Sequence, residues 1–180
     1  MKDSREELFR DLEHYIAENW IPPEEPQEKP VKQRKKNEPA DPDHKDLKKG
    51  GGPEPPFSAM SLDNLIEEVG KSFHEVLFEK AAESGMSDVE IYKRANMDRK
   101  LFSKIRSNPA YHPRKDTVLA LAIALRLSMD ETEDLLARAE YALSPGSKSD
   151  VIIRYFIEKK IYDIDTINIA LYEHGLPVLQ

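Results

Sequence analysis

Nine of the 13 prolines fall between Pro22 and Pro56, together with Gly50-Gly51-Gly52. Proline fixes φ and removes a backbone donor, so this stretch cannot build helix or sheet. It divides the 180 residues into an N-terminal piece (1–21), a Pro/Lys/Glu linker (22–56) and a block (57–180) close to the usual size of one domain. The linker carries eight basic and eight acidic side chains and too little apolar content to order itself, so disorder is expected there. As a coil it spans roughly 30–35 Å. Its cluster Lys32-Gln33-Arg34-Lys35-Lys36 reads as solvated linker charge.

Whole chemistries are excluded by composition. With no cysteine, disulfides, thiolate chemistry and Cys-ligated zinc are absent. The longest apolar run, Val118 to Leu125, falls far short of the roughly 20 residues of a membrane span. The first residues lack the apolar stretch of a signal peptide, so a cytoplasmic protein with no membrane partner is expected. His14, His44, His74, His112 and His174 are scattered. No metal-binding, nucleophile-elbow or phosphate-cradling motif occurs. No catalytic residue, metal, cofactor or small-molecule site is therefore expected, and the chain does not read as an enzyme.

Helical periodicity runs through both outer parts. Leu8, Leu12, Ile16 and Trp20 recur every four positions, which predicts an amphipathic helix over 4–20. Such a helix is marginal alone and must cover its stripe, on its own domain or on a partner. In the block, Leu62, Leu65, Ile66, Val69, Phe73, Val76, Leu77 and Ala81 share one face and predict a single first helix, ended by Gly85. Ser87-Asp88-Val89-Glu90 is a capping box that opens a short second helix. Asn96 stands at the turn, and Asp98 caps a third helix bearing Leu101, Phe102 and Ile105. A fourth covers Asp116 to Arg126. Ser128-Met129-Asp130-Glu131 opens a fifth, and two more are expected near 150–159 and 163–174. Phe73, Leu77, Ile91, Phe102, Ile105, Leu121 and Leu125 should be core. The class is all-α.

Charge is unevenly placed. The chain is −7 overall, yet residues 91–115 hold Lys93, Arg94, Arg99, Lys100, Lys104, Arg106, Arg114 and Lys115 against Asp98 alone. One basic stripe on an acidic protein polarises its field and can aim one face at a polyanion.

The segment from Met86 to Ile105, with its Ser-capped short helix, Ala95, the turn at Asn96-Met97 and a second helix, resembles a helix-turn-helix of the lambda-repressor-like (xenobiotic-response-element type) family. Pro113 through Leu125 resembles that family's fourth helix and Ser128-Met129-Asp130-Glu131 the start of its fifth. The resemblance covers residues 73–143 and implies a five-helix core, extended here by two C-terminal helices (145–180) and preceded by a separate N-terminal helix on the Pro-rich linker. Residues 61–180 are also similar to a C-terminal helical module found behind bacterial macro domains. The sequence differs from the repressor pattern at three places. Asp88 replaces a common Gln, Leu101 a small or polar residue, and Arg126 a common Gly.

The resemblance implies duplex DNA as partner. Long donors near the start of the third helix reach base edges, which assigns Arg99, Lys100 and Ser103 to bases. Lys93, Arg94, Lys104, Arg106, Tyr111, His112, Arg114 and Lys115 would contact phosphates, positioning without specifying. Leu8, Leu12, Ile16 and Trp20 would form a partner helix, in a homodimer or with another protein. The functional expectation is a sequence-specific transcriptional regulator of bacterial type. The alternative is a non-catalytic adaptor in a bacterial stress or defence system that reuses the repressor-like fold.

Overall fold

A computed structural model describes residues 2–23 and 70–179. The linker and the apolar positions Leu62 to Val69 lie outside them. The described residues form eight helices: α1 (Lys2–Asn19), α2 (Phe73–Glu83), α3 (Asp88–Arg94), α4 (Arg99–Ser107), α5 (Lys115–Ala124), α6 (Met129–Arg138), α7 (Lys148–Glu158) and α8 (Ile164–Glu173). No strand occurs among them, and none of these helices is long and apolar enough to cross a membrane.

Serine and aspartate caps set the helix starts. Ser87 Oγ accepts from the Glu90 N–H at 3.3 Å while the Glu90 carboxylate accepts from the Ser87 N–H at 2.8 Å, and Ser128 and Glu131 repeat the pattern. Asp98 accepts from the Lys100 N–H at 2.6 Å and opens α4. A third box, Ser72 with Glu75, corrects the sequence expectation. The helix begins at Phe73, and Gly70 to Ser72 are not helical, so no single helix runs from Leu62 to Ala81. The hydrogen bonds from Ser72 and Ser87 hold the Glu75 and Glu90 carboxyls below their ordinary range.

α5 is the axle of the fold. Every residue from Thr117 to Ala124 is buried, the pattern of a helix surrounded by neighbours. It packs against α3, α6 and α8. Ile91 of α3 and Phe102 and Ile105 of α4 close the core on one side, and the seven core residues expected from sequence are all buried.

The N-terminal helix is not separate. α1 packs on α7 and belongs to the same compact unit as the helices from α2 onward. Leu12 is fully buried and Ile16 nearly so, with Leu8 and Trp20 packed beside them. Polar bonds flank this seam. The Tyr155 hydroxyl donates to Asp11 at 2.9 Å, the Tyr15 hydroxyl donates to Glu158 at 2.8 Å, and Lys159 pairs with Asp11 at 2.7 Å. Burial, helped by Glu158, pushes the Tyr15 phenol up to about 12. Burial and Asp11 raise that of Tyr155. The stripe assigned to a partner is thus covered by the chain's own α7. An amphipathic face encodes the need for cover, not the identity of the cover.

Candidate nucleic-acid interface

α3 and α4 are joined by Ala95 to Asp98. The turn depends on Asn96, which adopts φ 50, a left-handed conformation that asparagine tolerates better than most residues. The chain thereby turns over four residues, and Phe102 and Ile105 anchor one face of α4 in the core. The opposite face carries Arg99, Lys100, Ser103 and Lys104, all exposed. Arg99 and Lys100 occupy its first turn. Neither has a carboxylate within ion-pair distance among the described residues. Lys104 lies with its ammonium 4.4 Å from the centre of the half-buried Tyr111 ring. Arg114 is exposed just ahead of α5.

Two members of the expected phosphate-contacting set have other partners. Lys115 is half-buried, and its ammonium stands 2.5 Å from Asp150, a side chain 5% exposed. The same carboxylate accepts from the Ser144 N–H at 2.9 Å. Lys115 thus ties the first turn of α5 to that of α7, because a buried carboxylate requires a partner charge. Arg106 donates to Asp88 at 2.7 Å and lies over the Phe78 ring at 4.8 Å, joining the end of α4 to the start of α3. That pairing also accounts for Asp88. Its carboxylate braces α4. His112 is exposed, packed on Tyr141 and 3.9 Å from Glu140.

The remaining basic residues line two neighbouring hollows that share Asn96. Arg114 shares a groove of about 760 Å³ with Leu101, Asp98 and the C-terminal Pro177 and Val178. Lys93 and Arg94 line a second hollow with Arg126 and Lys160. The sequence marks Arg126 only as a departure from the repressor pattern and does not mark Lys160, because both lie far along the chain from Lys93 and Arg94. The packing of α3 on α5 brings Arg126 to Lys93 and Arg94, and Lys160 lines the same hollow. Leu101, flagged as unusual, is half-buried against the groove.

No family model, curated protein or solved structure matches the chain.

Proposed function

We propose that the chain binds duplex DNA sequence-specifically through α4, as a small helix-turn-helix transcriptional regulator. The observation that carries this reading is the outer face of α4. Arg99, Lys100, Ser103 and Lys104 are exposed side by side, and the two residues of the first turn have no carboxylate partner among the described residues. A helix held in the core by Phe102 and Ile105 has the rigidity to present these donors at fixed spacing. A guanidinium near a helix N-terminus suits a bidentate contact to a guanine edge. Arg114, Lys104 and His112 would flank it on phosphates. Binding as a homodimer at two half-sites would raise affinity through effective concentration.

A titration with specific and scrambled duplexes at two salt concentrations tests this. Arg99→Ala is expected to cost about 1–3 kcal/mol and relax preference at one base pair. Lys104→Ala is expected to weaken all sequences alike and flatten the salt dependence by about one phosphate. A wild-type chain that ignores duplex DNA at low salt removes the reading. The adaptor reading has one observation of its own. Leu101, Pro177 and Val178 line the groove beside the start of α4, and apolar side chains there suit a protein surface better than a phosphate.

A further inference from the structure

Three helices end in one place. α3, α5 and α7 terminate around an open hollow of about 780 Å³, and the second residue after each helix is left-handed: Asn96 at φ 50, Arg126 at φ 56 and Lys160 at φ 57. At each end the left-handed residue's N–H bonds back three residues, at 2.9 to 3.1 Å, and the next N–H bonds back five. These paired bonds satisfy the terminal carbonyls without help from side chains. The cationic groups of Arg126 and Lys160 are therefore not needed for capping.

Glycine would relieve the backbone at both positions, as it does after α2 and α8, where Gly85 and Gly175 stand at φ 66 and φ 68. Nor does a helix end require a cation there. Glu140 holds the equivalent left-handed position after α6, at φ 60, and does not line the hollow. Arg126 and Lys160 thus keep a strained conformation where they join Lys93 and Arg94. None of the four has an ion-pair partner among the described residues. Asp163 and Asp165 stand at the start of α8 on the same hollow, and Asp163 already accepts from the Thr166 hydroxyl at 2.6 Å.

We infer that this hollow is an anion site for phosphate groups, fitting best a phosphorylated ligand that also bears sugar hydroxyls. Four cations outnumber two carboxylates, which leaves the lining positive. The carboxylates can accept from hydroxyls but not from phosphate oxygens, so the mixed lining suits a nucleotide better than bare phosphate. The volume lies within the usual range for small-ligand sites, roughly 300–1,000 Å³. A nucleic-acid backbone offers the same phosphate chemistry, and the two sources are separable by experiment.

The experiment is calorimetric titration of the full chain with ATP, with inorganic pyrophosphate and with a short duplex, alongside thermal unfolding. Arg126→Gly and Lys160→Gly are the deciding variants. Each removes a charge and relieves a left-handed residue, so each should unfold at or above the wild-type temperature while losing about tenfold in affinity for ATP. Arg99→Ala should leave ATP binding unchanged, which separates this site from the proposed base-reading face. If ATP and pyrophosphate do not bind but both glycine variants weaken the duplex, the phosphates come from nucleic acid and the site stands. Glycine variants that bind every probe as wild type does, a wild-type chain that saturates with none, or equal loss of ATP binding in Arg99→Ala overturns the inference.

Discussion

Around α7, Lys159 and Arg154 each stand within 2.7 Å of a carboxylate, on Asp11 and Glu133. On α3 and α4, Lys93, Arg94, Arg99 and Lys100 have no such partner among the described residues. The first pair joins α7 to α1 and the second joins α7 to α6. Lys159 thus braces a seam already held by Leu12 and Ile16. The unpaired cations lie on short helices whose inner faces alone are anchored. Pairing of exposed charges adds little stability, about 0–1 kcal/mol each, so its absence at these four cations leaves the fold almost untouched. What it leaves there is an uncancelled field. The +7 stripe counted along residues 91–115 is thinned by Lys115 and Arg106, which the fold claims for itself.

The contrast is most exposed to disproof at Leu12. Leu12→Ala, at a fully buried position, is expected to cost about 2–5 kcal/mol in denaturant unfolding. Arg99→Ala should move the same midpoint by less than about 0.5 kcal/mol. An unchanged midpoint for Leu12→Ala would mean that α1 is not docked. Lys115→Ala comes next, because it strands the Asp150 carboxylate. Breaking a fully buried pair costs about 3–5 kcal/mol, and the partial exposure of Lys115 lowers the expectation to about 2–3 kcal/mol. Its signature is lost stability with an unchanged salt slope for DNA, the reverse of a phosphate contact.

Asp88→Gln opens a half-exposed pair and should shift stability by less than about 1 kcal/mol. By releasing Arg106 and removing a negative charge, it should tighten duplex binding in every sequence context, measured in the same titration. A further effect lies at Glu131, where the Lys80 ammonium at 2.9 Å, followed by the Ser128 hydrogen bonds, lowers the carboxyl from 4.5 to about 2. A lowered folded value contributes stability above pH 4.5 that is lost as pH falls toward 2. Glu131→Gln should flatten that part of the stability curve, and an unaltered curve would detach Glu131 from Lys80.

Local chemistry was legible where the signal lay within four residues. The boxes at Ser87 and Ser128, the Asp98 cap, the left-handed Asn96 and the core positions of α3 to α5 follow from neighbours along the chain. The Ser72 box was equally local, Ser72-Phe73-His74-Glu75, but the apolar period running through it from Leu62 concealed the start. Lys115 with Asp150, and Lys93 with Arg126 and Lys160, are different in kind. Each grouping joins residues 33 or more apart that meet only in the folded chain. No pattern of spacing identifies such partners. For the same reason the stripe of α1 was readable and its destination was not.

Trp20 is the chain's only tryptophan. It sits where α1 ends, beside the hydrogen bond from Ile21 to Pro145, with the Lys148 ammonium 5.3 Å from its ring. Its indole N–H is buried and has no partner among the described residues. The unlabelled protein therefore carries its own optical gauge of the seam. With α1 seated, the indole emits from a shielded setting at shorter wavelength. With α1 lifted, water reaches the N–H and the emission moves to the red, so the opening of one helix can be timed without adding a dye.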